Sequence, residues 1–327
     1  MAGHLHHHHG SHGAHDHSVR ADADRRWLVI ALVLISLLMA GEVVAGIVSG
    51  SLALLSDAAH LLTDVAAIIL ALIAMRLAAR PPQGGFTFGL QRAEILSAQA
   101  NGLTLVLLGC WLAYEAVERL VHPPPIAGEL VLITASIGVV VNIAAAWSMS
   151  RANRTSLNVE GAFQHLLNDL FAFVATLIGG VVVVLTGFTR ADAIATLVVV
   201  VLMVTAGARL IRDSGRILLE AAPAGTDVDA LGAELAAVPA VDEIHDLHLW
   251  QITSEQAALS AHVIVADHAD CHTSRIRLEE LLRVRHDIQH TTLQVDHVAD
   301  ITESAGLERC GPVHRSEAPV SAHTHQH

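Results

Sequence analysis

The chain has 327 residues, of which 53% are hydrophobic and only 16% charged, with a mean hydropathy of +0.50 and a formal net charge of −13. That balance excludes an ordinary water-soluble globular protein, and the acidity excludes a nucleic-acid surface built on basic patches. Three cysteines, odd in number and scattered, exclude a disulfide framework.

Residues 1–26 hold eight histidines among Gly, Ser and Asp, too polar to bury a core, and read as a disordered His-rich cytoplasmic tail. Two readings of this tail stand: a low-affinity metal collector, or a purification tag at His6–His9. No cleavable signal peptide is expected there. His323, His325 and His327 repeat the same composition at the other end, in a flexible tail assigned to residues 304–327.

Six apolar stretches follow, at roughly 27–48, 52–79, 95–118, 129–149, 157–187 and 191–211, each long enough to cross a bilayer core as a helix. They define a transmembrane domain over 27–216. The connections are short, such as Ser49-Gly-Ser51 and Arg151-Ala-Asn-Arg154, so neighbouring helices are expected to pack antiparallel. The chain has no lysine, and only Arg119 and Arg190 fall on the side away from the N-terminus. By the positive-inside rule both termini are cytoplasmic.

From Asp213 onward nineteen acids face seven arginines, which concentrates the net charge in the C-terminal part. A soluble domain is assigned to residues 217–303. Thr226–Ala237 has helical spacing with Thr226 as N-cap, Val241–Thr253 and Ala257–Asp267 alternate as strands, His272–Asp287 reads as a helix, and His290–Val298 alternates again. The order is αββαβ, an α+β unit with helices on one sheet face. Its core is modest, so pairing with a second copy would help it stand.

Two matching pentapeptides inside the apolar stretches point to the chemistry: His60-Leu-Leu-Thr-Asp64 and His165-Leu-Leu-Asn-Asp169. Ionisable residues at such places are functional candidates by default. Positions i and i+4 share one helix face, so each copy offers one imidazole and one carboxylate in the same direction. Two copies facing each other make an N2O2 set suited to Zn²⁺, with Co²⁺ and Cd²⁺ next. Metal ligands must be deprotonated, so the same four residues can exchange the metal for protons. Glu42, Asn142 and Asp57 are lesser intramembrane polar residues, either lining a water-filled path or bonding between helices.

The chain resembles the cation diffusion facilitators, in particular the bacterial exporters of zinc, cobalt and cadmium. The resemblance rests on Ser51-Leu-Ala-Leu-Leu-Ser-Asp-Ala-Ala-His60, Phe88-Gly-Leu-Gln-Arg-Ala-Glu94 and Asn158-Val-Glu-Gly-Ala-Phe-Gln-His165. It implies six transmembrane helices, a transport site on the second and fifth, a cytoplasmic ferredoxin-like domain, homodimers formed through that domain, and Zn²⁺ export across a bacterial inner membrane in exchange for protons. Zn²⁺ is then cargo and regulatory ligand, with no resident cofactor and no enzymatic activity. His60, Asp64, His165 and Asp169 match the transport site. His245, His262 and Asp296 match positions of a cytoplasmic regulatory metal pair, where a further family histidine falls on Gln294; His272 or Cys271 would complete a single site, and the competing reading is surface histidines on an exposed sheet. Arg92 and Glu220 resemble an inter-helix charge lock, with a solvated pair as the alternative. The loop Phe86–Gln91 offers no strong ligand for the family's additional site. Two other classes remain to be separated from a transporter: an intramembrane metal-dependent hydrolase, for which no His-Glu-x-x-His helix is present, and a membrane metal sensor, which lacks an output module.

Overall fold

The computed structural model describes residues 14–49, 52–122, 128–152, 154, 156–188, 190–298 and 312–315. Of the stretch 1–26 read as a disordered His-rich tail, residues 1–13 lie outside the described residues, as do the C-terminal histidines and Cys310, whereas residues 14–26, His15 and His17 included, open a helix that runs from Ala14 to Ser49. The chain divides into two units between Ser214 and Gly215.

The first unit is helical: α1 (Ala14–Ser49), α2 (Leu52–Ala78), α3 (Ala93–Val121), α4 (Gly128–Met149), α5 (Leu157–Thr186) and most of α6 (Ala191–Leu218). Among the described residues, α1, α2, α3, α5 and α6 each contain a stretch long and apolar enough to cross a membrane, and α4 contributes the shorter apolar run Ser136–Met149. Large apolar side chains such as Leu37, Val44, Leu107, Val140 and Leu185 stand on the outside of the unit. Such a surface suits hydrocarbon rather than water.

Inside, α1, α2, α4 and α5 share one core, in which Leu28, Ile35, Leu61, Ile68, Met149 and Leu166 are all but fully buried. Trp27 of α1 meets Trp147 of α4 edge to face at 6.4 Å, and Arg151 lies 4.9 Å above the Trp147 ring. Indoles beside arginines belong at the polar boundary of a bilayer. Helices α3 and α6 join through Leu105, Met203 and Leu210. They come close at two glycines: a Cβ on Gly207 would lie 2.7 Å from the Gly102 carbonyl oxygen. Only hydrogen on both Cα atoms lets the backbones come this near.

The second unit contains α7 (Val228–Ala236), β1 (Val241–Gln251), β2 (Ala257–Val265), α8 (Cys271–His286), β3 (His290–His297) and a two-residue β4 (His314–Arg315). The sheet order is β3-β2-β1-β4; β1 pairs antiparallel with β2 and β4, and β2 pairs parallel with β3. Helices and sheet bury Leu231, Leu235, Ile244, Leu259, Val263, Leu278 and Leu282 between them. The αββαβ order follows the alternation in the sequence. The first helix is capped by Asp227 rather than Thr226, its carboxylate accepting from the Ala230 amide at 3.0 Å. β1 stops short of Thr253 because that hydroxyl accepts from the Glu255 and Gln256 amides, closing the turn into β2.

Glu234 of α7 accepts from both Arg285 and His286 of α8, 2.6 and 2.8 Å away. Those two hydrogen bonds, Arg285 first, hold its carboxyl below the usual carboxylate range. β4 falls within the stretch 304–327 read as a tail. His314 and Arg315 instead pair with Ile244 and Glu243 on the outer edge of β1, Arg315 donates to Glu243 at 3.2 Å, and the His314 ring covers Gly232, where any Cβ would collide with it.

Candidate metal centres

The first centre is set by register. Asn158, at the start of α5, donates from Nδ2 to the Ala71 carbonyl of α2 at 3.0 Å. Seven residues back along α2 from Ala71 is Asp64, and seven residues on along α5 from Asn158 is His165. Both steps are two helical turns, about 10 Å, so antiparallel helices fixed at the first pair must meet again at the second. They do: His165 Nε2 lies 3.2 Å from Asp64 Oδ1, with side chains only 3% and 5% exposed.

Asp169, one turn beyond His165, completes a group of three whose ligand atoms all lie within 4.8 Å of one another. An imidazole and two carboxylates buried in an apolar helix bundle present one nitrogen and two oxygens to a common point, a donor set that suits a divalent cation. The side chain of His60 lies outside the described residues, as does that of Asp57. Of the lesser polar residues, Glu42 is buried within α1, and Asn142 donates to the Gly138 carbonyl of its own helix at 3.1 Å.

The second centre lies on the sheet face that α7 and α8 leave open. His245 and His262 are direct partners across β1 and β2, with rings 5.3 Å apart and edge to face. Their third neighbour is Asp246, which the sequence reading passed over. Between His245 and His248 the register of β1 slips against β2, and Asp246 takes a left-handed φ of 50°. Such a bulge re-aims a side chain that strict alternation would send to the opposite face. Asp246 Oδ2 comes 3.7 Å from His262 Nδ1, and the three residues' ligand atoms lie within 4.8 Å of one another. Glu243 Oε1 approaches His245 Nδ1 at 3.4 Å. A cavity of about 310 Å³ opens beside them, lined by Asp246, His248, His262, Thr292 and Gln294 among others.

Gln294 is the β3 partner of His262, so it stands in the same row across the sheet, whereas Asp296 pairs with Ile264 and accepts from Gln294 at 2.8 Å. Asp296 is outside the three-residue group. His272 is not brought there either. It sits exposed in the first turn of α8 behind the Asp270 cap, with its ring 3.5 Å from Arg275. Arg92 stands at the N-cap position of α3 in the first unit, with no side-chain capping bond, and Glu220 follows α6 in the second with a left-handed φ of 58°.

Residues 28–219 match the family model of the cation efflux transmembrane domain, and residues 223–298 match that of the cation efflux protein cytoplasmic domain. The chain is 34% identical over 304 residues to the cadmium, cobalt and zinc/H(+)-K(+) antiporter of Bacillus subtilis, covering 90% of this chain and 96% of that protein. It is 33% identical over 322 residues to the zinc transporter ZitB of Escherichia coli, covering 96% and 99%. With the metal cation efflux system protein CzcD of Cupriavidus metallidurans it shares 34% identity over 288 residues, 88% of this chain and 90% of that one. These matches run through both units, and the chain therefore belongs to the cation efflux family, which is a family of transporters rather than enzymes.

Proposed function

We propose that this protein exports Zn²⁺ from the cytoplasm in exchange for protons, with Co²⁺ and Cd²⁺ as further cargo, from a site made by His60, Asp64, His165 and Asp169. The observation that carries the reading is the buried meeting of Asp64, His165 and Asp169. The register that pairs Asp64 with His165 runs on, one turn along each helix, to His60 and Asp169, so both halves of the repeated pentapeptide fall at one level of the bundle. Two carboxylates balance the divalent charge where hydration is lost, and the imidazoles bind only when deprotonated. Metal loading then expels protons, and protons arriving from the far side expel metal. The relatives' names, zinc transporter and metal/H(+)-K(+) antiporter, support both the cargo and the exchange.

The arginine distribution supports cytoplasmic termini, and the family relationship supports an inner bacterial membrane and a homodimer joined through the second unit. In purified protein sealed into vesicles, an imposed Zn²⁺ gradient is expected to drive Zn²⁺ across the membrane while the pH of the opposite compartment changes in step. Metal movement with no proton signal at any pH gradient would refute the exchange, and no movement would refute transport. A hydrolase or a sensor would move neither.

His245, Asp246 and His262, with Glu243 at its edge, are proposed to bind cytoplasmic Zn²⁺ and to regulate transport. Replacing His245 and His262 together by alanine in the full chain should leave the cargo order Zn²⁺, Co²⁺, Cd²⁺ unchanged and remove activation by cytosolic metal. An activation curve identical to the parent's would return these histidines to the role of surface residues.

A further inference from the structure

Beyond the ligands themselves, two helix faces carry rows of polar side chains, several of them buried. On α3, Glu94, Ser97 and Asn101 follow at intervals of three and four, and on α5 Asn158, Gly161, His165 and Asn168 follow at three, four and three. Each set is therefore a single stripe along its helix. The stripes face each other at both ends of the shared stretch. Ser156, just before α5, donates to Glu94 at 3.2 Å, and a Cβ on Gly161 would touch the Asn101 side chain at 3.6 Å. His165 lies one turn beyond Gly161 on the same face.

Ser97, Asn101, Asn158 and Asn168 are each at most 4% exposed. Ser97 Oγ, Asn101 Nδ2, Asn158 Oδ1 and Asn168 Nδ2 have no hydrogen-bond partner among the described residues. Burying such atoms unpaired costs about 1–3 kcal/mol each, so several in one seam call for a common occupant. Interhelical bonding accounts for Asn158 Nδ2, which donates to Ala71 of α2, but not for these four atoms, which find no partner in one another. Amide and hydroxyl groups hydrogen-bond water or the hydration shell of a cation equally well, while carrying no charge to trap it.

We infer that the α3/α5 seam is the passage by which a hydrated divalent cation reaches the buried cluster from the end of the bundle where α3 and α5 begin, with Asn101 as the last waypoint before His165. The buried state described is the closed form of that passage. Gly161 keeps the seam narrow enough to shut and leaves Asn101 free of a bulky neighbour. This inference rests on the reading of Asp64, His165 and Asp169 as the transport site.

The test uses the full chain in vesicles, with Cys110, Cys271 and Cys310 replaced by serine. Asn101→Cys should react with a charged, water-soluble thiol reagent, applied from the side on which α3 begins, at least about tenfold faster than Leu105→Cys, which is buried among apolar neighbours one turn on. Zn²⁺ should slow the reaction at position 101. Asn101→Leu should lower Zn²⁺ flux about tenfold, the loss of one hydrogen-bonding group to a charged species, with equilibrium Zn²⁺ binding unchanged, and Asn101→Ser should recover most of the flux. Labelling of Asn101→Cys no faster than that of Leu105→Cys, or parental flux in Asn101→Leu, overturns the passage. The labelling arm reads the seam whatever the ligands deeper in, so a parental flux in Asp169→Ala would overturn the transport site without disturbing it.

Discussion

Asp169→Ala is expected to reduce Zn²⁺ flux by about a hundredfold or more, because it removes a ligand outright where loss of an outer-shell partner alone costs about 10- to 100-fold in metal affinity. Two effects act in the same direction. The donor set loses an oxygen, and the buried site loses one of the two negative charges that offset a divalent ion away from water. Asp169 is close enough for a ligand atom to lie within 4.8 Å of those of Asp64 and His165, so the vacated position has no substitute among these three. The fold should tolerate the change, since shortening a side chain in this group deletes charge from the bundle rather than adding bulk. Asp169→Asn separates the terms by keeping the shape and removing the charge. Flux in vesicles is measured beside thermal unfolding of the same preparations. A well-folded Asp169→Ala protein with parental flux would end the case for this site.

Gly207→Leu should be the most damaging change among the glycines of the bundle. A Cβ at Gly207 falls 2.7 Å from the Gly102 carbonyl oxygen, 2.9 Å from Val106 and 3.1 Å from Leu105, and a Cβ at Gly102 falls 3.0 Å from the Gly207 carbonyl oxygen. Here backbone meets backbone, so no side-chain rotamer relieves the clash and α3 must move away from α6. Overpacking of this kind costs about 1–3 kcal/mol in well-packed cores. Lower thermal stability in detergent is expected, with even Gly207→Ala measurably weaker. Gly41→Leu serves as the control, because a Cβ on Gly41 has nothing within 4 Å. Equal melting of Gly207→Leu and the parent would mean that the two helices do not cross at these glycines.

Much of this architecture was legible because its signals are periodic. Helix length follows from apolar run length, and two identical His-x-x-x-Asp spacings announce a shared face before any packing is known. The alternation read over Val241–Thr253 and Ala257–Asp267 likewise gave two strands, which end two residues earlier, at Gln251 and Val265. What alternation could not give was Asp246. A bulge is a local exception to the two-residue period, and the left-handed turn that re-aims Asp246 leaves no mark in an ordinary Ile-His-Asp-Leu string. The adjacency of Asp246 to His245 was the available hint. His272 misled for the opposite reason: its chemistry fits a metal, but the Asp270 cap fixes it at a helix start where Arg275 is its neighbour. Ser97 and Asn101 escaped notice because neutral polar residues are common between membrane helices, and only their burial without partners sets them apart.

The short β4 guards one end of the outer margin of β1. A β1 whose outer margin lay bare would offer a template to any passing chain, and stacking through it could continue without limit. His314 and Arg315 occupy that margin beside Ile244 and Glu243, and the ring seated on Gly232 pins them down. Growth by strand addition at the Glu243–Ile244 end of that flank would have to displace these two residues first.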